Sequence, residues 1–113
     1  MDEGGTMFGA LDGERLAGVA VLGGRFRGKN RDQLQLVFMH VGNGYRRQGI
    51  GSRLMALAGE LARARGARYL YISATPSQSA IGFYLSHGSE LAPEVDEELL
   101  ALEPEDIHLL KAL

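Results

Sequence analysis

Residues 46–52, Arg-Arg-Gln-Gly-Ile-Gly-Ser, gather two guanidinium groups, a side-chain amide, a hydroxyl and two glycines into one short run. The glycines stand where a helix is starting, and Gly in a first turn costs roughly 0.5–1 kcal/mol relative to Ala. The first N–H groups of a helix have no intrahelical partner and lie at its positive dipole end. An anion can take them, and glycine removes the Cβ that would hold a bulky phosphate away. Gly49 and Gly51, with donors from Arg46, Arg47 and Gln48, therefore admit a pyrophosphate cradle, each charge-assisted bond worth roughly 1.5–3 kcal/mol. They equally admit a glycine-rich turn flanked by solvated arginines. The run is not a Walker loop, because no Gly-Lys-Ser/Thr follows. Nor is it a dinucleotide fingerprint, because Gly42-x-Gly44 is followed by Arg47 where the third Gly belongs.

Two further side chains can move a proton. Tyr84 carries a phenol, ordinarily titrating near about 10, that can act as an acid. His40 carries an imidazole that can take a proton from an amine. Each also reads as structural, Tyr84 as a half-buried aromatic with a wet hydroxyl and His40 as a surface histidine. Tyr69 and Tyr71 alternate with Leu70 and Ile72 and are expected to pack on the other side of their strand. His87 and His108 are assigned to the surface. Arg25, Arg27, Lys29 and Arg31 are expected to be a solvated loop rather than a phosphate site, and the acidic run Glu94 to Glu98 a solvated face.

These residues need elements to hold them. Asp12-Gly13 between two apolar runs is a hairpin signal, so Thr6 to Leu11 and Arg15 to Leu22 read as paired strands. Gly23 to Asp32 is polar and basic, a loop. Gln33 to Val41 is a third strand, apolar on both faces toward its end, and so central in a sheet. A helix from Gly49 to Arg65 carries Ile50, Leu54, Leu57, Ala58 and Leu61 as one apolar stripe, with Gly66 at its stop. Ala67 to Ala74 is a fourth strand. Thr75 as N-cap, Pro76 at the first helical position and Gln78 completing a capping box start a second helix that ends at His87 and Gly88. The segment 92–106 is acidic and irregular, with room for one helical turn, and Ile107 to Leu113 is a last strand. The order β-β-β-α-β-α-β is a meander followed by a right-handed β-α-β crossover.

The chain has 113 residues, and with no repeat or linker residues 1–113 read as one domain. A net charge of -2 supplies no field toward nucleic acid or anionic lipid. Cys is absent, which removes disulfides, thiolate nucleophiles and Cys-ligated zinc, and suits a reducing cytoplasm. No apolar run nears the ~20 residues of a membrane span, and no metal-ligand cluster is evident. The N-terminal MDEGGTM is unlike a signal peptide.

Arg46-x-x-Gly49-x-Gly51, after a strand ending at Val41 and before an amphipathic helix, resembles the acetyl-CoA signature of the GNAT family of N-acetyltransferases, Arg/Gln-x-x-Gly-x-Gly/Ala. Downstream, SQSAIGFYLSHGSEL is similar to the family's second motif, Asn-x-x-Ala-x-x-x-Tyr-x-x-x-Gly-Phe, with Ala80, Tyr84 and Gly88 in register. The resemblance spans about Gln33 to Gly88. It implies an α/β (α+β) fold with a mixed central sheet, of the acyl-CoA N-acyltransferase type. It implies transfer of an acetyl group from acetyl-CoA to an amine by direct attack. Arg46 and the backbone amides of Arg47, Gln48, Gly49, Ile50, Gly51 and Ser52 would hold the pyrophosphate. Met39 and Val41 would pair with the pantetheine arm like an added strand, in a gap where this strand splays from its parallel neighbour. A backbone N–H there would hold the carbonyl oxygen as it gains charge. Tyr84 would protonate the departing thiolate.

The chain departs from the family pattern in four places. Ser77 takes the Asn slot, with shorter reach to the pantetheine, and Ser89 takes the Phe slot. Where many members carry a Glu base on the central strand, the nearest residues are Gln35 and Leu36, so the base falls to His40 or to a water relay. The family's first strand and the two helices that wall the acceptor site find no room in residues 1–45. A minimal member or a piece of a longer chain is then expected, with the acceptor side open or completed by a second copy, hence a homodimer. An open side favours a bulky acceptor, such as a protein N-terminus or lysine, or weak activity on small amines. The alternative reading is a CoA-binding module of this fold with little or no catalysis, serving regulation or partner binding.

Overall fold

Asp12-Gly13 closes a hairpin between β1 (Thr6–Asp12) and β2 (Arg15–Arg27), as its turn chemistry predicts. The structure, a computed structural model, describes residues 5–42 and 49–113. β3 (Gln33–Val41) returns antiparallel to β2, and α1 (Ile50–Ala64) leads to β4 (Tyr69–Ala74), parallel to β3. Then come α2 (Gln78–Ser86), β5 (Ser89–Leu91), α3 (Glu97–Leu102) and β6 (Ile107–Ala112). Among the described residues these strands form one mixed sheet in the order β1-β2-β3-β4-β6-β5, the expected class.

The α1 face holds the core. Leu54, Met55, Ala58 and Ala62 are buried on Ala20, Leu22, Leu34, Leu36, Leu70, Ile72, Ala74 and Leu109. Ile50 and Leu61 of the expected stripe pack at its margin. Leu57 is 44% exposed, and Met55 takes its place, because the sheet meets the helix slightly round from the centre of the stripe.

Several expectations are corrected. β2 runs on to Arg27 rather than ending at Leu22, with register shifts absorbing Gly23 and Gly24. α2 begins at Gln78, not Pro76, and its cap is Ser77, whose Oγ accepts from the Ala80 N–H at 3.2 Å. An unexpected strand, β5, precedes the acidic segment; the helical turn for which that segment had room is α3, capped by Asp96, which accepts from the Leu99 N–H.

Both that segment and the basic loop stay largely exposed, as expected, but they are ion-paired to each other, and at the centre of the pairing Arg27 and Asp96 are largely covered, with side chains 12% and 18% exposed. Arg27 Nη1 donates to Asp96 Oδ2 and Glu98 Oε1, both at 3.1 Å; Arg25 reaches Glu98 and Lys29 reaches Glu94. The two charged runs clasp each other across the sheet face opposite α1. Under the clasp, Tyr71 is 1% exposed and His108 6%, so His108 is not on the surface. The Asp96 N–H donates to the Tyr71 hydroxyl at 2.8 Å, which leaves that O–H to donate to His108 Nδ1 at 2.5 Å. Burial pushes the Tyr71 phenol above its usual pKa, outweighing the Asp96 N–H bond.

Candidate active site

β3 and β4 are paired from Gln33–Tyr69 to Leu36–Ile72 and no further, although β3 continues to Val41 and β4 to Ala74. The cause lies one residue past the last rung. Leu36 faces Leu22 and Phe38 faces Val21, which leaves Val37 as an extra residue in β3. Such a bulge bends its strand and turns its side chains over. Before it, Leu34 and Leu36 point to the core; after it, Met39 and Val41 do, while Phe38 and His40 are exposed. β3 stays paired to β2 as far as Val41. From Val37 to Val41 its other edge, toward β4, thus carries backbone groups that the sheet does not use. This is a gap in which an extended arm can pair as a strand, the role expected of Met39 and Val41.

The start of α1 faces the same end of the sheet. Gly49 takes φ 77, ψ 7 and no side chain among the described residues caps the helix. The first helical bond runs from the Arg53 N–H to the Gly49 carbonyl, so the N–H groups of Ile50, Gly51 and Ser52 lie outside the helical ladder. A Cβ added at Gly49 meets nothing within 4 Å among the described residues. No described residue fills the space beside Gly49, and the donor set fits an anion. Gly51 has a different reason. A Cβ there would stand 3.0 and 3.1 Å from two ring carbons of Phe83 and 3.7 Å from Val41 Cγ2. It is small so that α2 can close on α1. Arg46, Arg47 and Gln48 lie outside the described residues.

The two helices are bridged by a histidine that the sequence reading left on the surface. The Phe83 carbonyl can only accept, so His87 Nδ1 donates to it at 2.8 Å, and Nε2 meets Ser52 Oγ at 2.7 Å. The His87 ring also lies 4.3 Å from that of Phe83. Ser52 thus offers its backbone to that space and its side chain to α2.

Tyr84 follows Phe83 on α2, half-buried, its ring edge-on to Phe83 at 5.3 Å. Its hydroxyl forms no hydrogen bond among the described residues. Burial pushes its pKa above the ordinary phenol value, so it holds its proton at neutral pH. Ser77 lines a groove of about 480 Å³ with Pro76, Gln78, Ile81, Gly82 and Ile107, just beyond the end of β4. Its oxygen is engaged as a cap and lies 3.5 Å from Ser79 Oγ, a long contact in which either hydroxyl can donate.

His40 stands on the sheet face away from the helices, its ring 6.4 Å from that of Phe38. It lies three residues beyond the bulge, about 10 Å along the strand. Nearer the bulge, Ser73 is the first residue of β4 past the last rung, and its Oγ donates to Asp106 Oδ2 at 2.9 Å. The sequence reading missed this pair; the only signal was that Ser73 shares the alternation of Tyr69 and Tyr71. No helix among the described residues is long and apolar enough to cross a membrane.

The model of the Acetyltransferase (GNAT) family matches residues 1–88. No curated protein matches the sequence. Among solved structures, a GNAT family acetyltransferase from Staphylococcus aureus superposes with a TM-score of 0.77 at 22% identity, over 99% of this chain and 70% of that one. The Bacillus subtilis acetyltransferase in complex with CoA gives 0.76 at 23%, over 96% and 77%. An IAA acetyltransferase from Bacillus cereus gives 0.75 at 21%, over 96% and 78%. At these identities the likeness carries the fold alone.

Proposed function

The chain belongs to the Acetyltransferase (GNAT) family, and we propose that it is an N-acetyltransferase moving an acetyl group from acetyl-CoA to an amine by direct attack. The observation that carries this is the parting of β3 from β4 at the Val37 bulge, beside a helix start that no described side chain caps. The pantetheine pairs with Met39 and Val41 in the gap. The pyrophosphate lies on the N–H groups of Gly49, Ile50, Gly51 and Ser52, with Arg46, Arg47 and Gln48 adding donors, and Ser77 donates to the arm. The amine nitrogen attacks the thioester carbon, the C–S bond breaks, and Tyr84 gives its proton to the thiolate. Its raised pKa suits it to hold that proton until the thiolate forms. His40 is the imidazole on the acceptor side. The cysteine-free sequence suits work in the cytoplasm.

The acceptor side is read as open or completed by a second copy of the chain, so the acceptor is bulky, a protein N-terminus or a lysine. Exposed Val37 and Phe38, at 50% and 52%, give such an acceptor an apolar surface beside the gap. A lysine must first lose its proton from a pKa near about 10.4, so the rate rises with pH.

The test is calorimetric titration with acetyl-CoA, followed by an assay of thiol release with amine acceptors. Micromolar binding with amine-dependent release supports the reading. Binding without release leaves a CoA-binding module with little catalysis. No binding at millimolar acetyl-CoA removes both.

A further inference from the structure

We propose that Ser73 and Asp106 carry the proton away from the attacking amine, Ser73 touching the amine and Asp106 receiving the proton through it; this rests on the acetyl-transfer reading above. Only one side of the gap is free of core packing. On the helix side Met39, Val41, Ile50, Ile81, Phe83 and Tyr84 all pack against the core. An acceptor therefore comes from the opposite face of the sheet. There the gap opens between Val37 on β3 and Ser73 on β4, the residues that follow the last paired rung, Leu36–Ile72.

Ser73 faces that side. It alternates with buried Ile72 and Ala74 and pairs in register with His108, which the Tyr71 hydroxyl holds on the same face. Its Oγ donates to Asp106 Oδ2 at 2.9 Å, which leaves its lone pairs to accept from an amine N–H. Asp106 sits half-buried just before β6, and its carboxylate pairs with no Lys or Arg among the described residues. Its negative charge is thus available to a proton. The other carboxylates beside this face, Glu94, Asp96 and Glu98, are taken by Lys29, Arg27 and Arg25. His40 lies about 10 Å farther along β3.

The step balances. The amine nitrogen bonds to the acetyl carbon and the C–S bond breaks. The proton lost by nitrogen passes to Ser73 Oγ as the Ser73 proton passes to Asp106. Tyr84, on the opposite side of the gap, gives its own proton to the thiolate. Solvent exchange then returns Tyr84 and Asp106 to their starting states. Acid and base act from opposite faces of the sheet, so neither proton has to cross the reacting carbon.

The test uses Asp106→Asn, which keeps the side chain's shape and its acceptor for Ser73, with Ser73→Ala and Asp106→Glu beside it. The readouts are thiol release from acetyl-CoA with a lysine-containing peptide bearing a free N-terminus as the probe acceptor, and calorimetric affinity for acetyl-CoA. Expected are a fall in kcat of about 100-fold or more in Asp106→Asn and Ser73→Ala, unchanged acetyl-CoA affinity, and partial recovery in Asp106→Glu. The deficit narrows as pH rises, because hydroxide can take the proton instead. A purely structural tie between strands would not give that narrowing. The other titratable groups on this face are His108, Tyr71 and His40, with Glu103 and Glu105 flanking Asp106 in the chain, and all are unaltered in these variants. Activity within about threefold of wild type in Asp106→Asn, or a loss matched by weaker acetyl-CoA binding, overturns the proposal. So does a loss confined to His40→Ala. Wild-type protein that binds acetyl-CoA yet releases no thiol overturns the transfer reading itself, and this one with it.

Discussion

Replacing Tyr84 by Phe separates chemistry from stability, and the structure says by how much. The Tyr84 hydroxyl has no hydrogen-bond partner among the described residues, so deleting it leaves no polar group orphaned. The ring stays edge-on to Phe83 and packed at the core margin. The change in unfolding free energy is therefore expected to stay within about 0.5 kcal/mol. Loss of a positioned general acid is worth about 10²–10⁴ in rate, or about 2.7–5.4 kcal/mol of barrier. Tyr84→Ala differs on both counts. It strips a half-buried ring, costs about 2 kcal/mol and lowers the melting temperature by about 8 °C. The assay is thiol release at saturating acetyl-CoA, with calorimetric affinity and a thermal melt on the same samples. The expected result for Tyr84→Phe is a collapsed kcat with unchanged affinity and melt. Turnover within about threefold of wild type would falsify the acid role. A fall in melting temperature like that of Tyr84→Ala would refute the claim that the hydroxyl is unpartnered. Because burial raises the phenol's pKa, no loss of kcat from Tyr84 ionisation is expected below about pH 10.

Three further outcomes are expected. Gly51→Val puts atoms into the Phe83 ring from a Cβ already 3.0 Å away, and overpacking of this kind costs about 1–3 kcal/mol, read as a lower urea midpoint. Gly49→Ala meets no described residue but keeps φ 77, so it costs about 1–2 kcal/mol of backbone strain. If a pyrophosphate lies there, acetyl-CoA affinity falls at least about tenfold; unchanged affinity removes the cradle. Arg27→Met loosens the clasp, costing about 1–3 kcal/mol near neutral pH. For Asp96, burial raises the carboxyl pKa but the Leu99 N–H and Arg27 together hold it low; for Glu98, Arg27 and Arg25 lower it. Depressed folded values mean stability that is present above about pH 4 and lost as pH falls through them. The wild-type melting temperature therefore drops on acidification, and in Arg27→Met that drop is shallower.

The sequence by itself determined what depends on neighbours a few residues apart. Asp12-Gly13 set the hairpin, the stripe through Ile50, Leu54, Ala58 and Leu61 set α1, and Gly66 stopped it. The spacing of Arg46, Gly49 and Gly51, and of Ala80, Tyr84 and Gly88, carried the family. Other features needed the folded sheet. Val37 lies in the unbroken apolar run Leu36 to Met39, where alternation gives no sign of an extra residue. The bulge exists only in the register against β2, yet it turns His40 outward and opens the gap. β5 is three residues long, too short to show a period, and forms because β6 offers it an edge. The basic loop and the acidic run are solvated as their composition suggests, but the ion pairs between them are not legible in it, because Arg27 and Asp96 are 69 residues apart. Ser52 and His87, Tyr71 and His108, and Ser73 and Asp106 meet over separations of 35, 37 and 33. Local periodicity is written in the chain because a strand or helix must turn one face to the core. Which distant polar groups then face each other is decided by how the sheet closes and where its register slips.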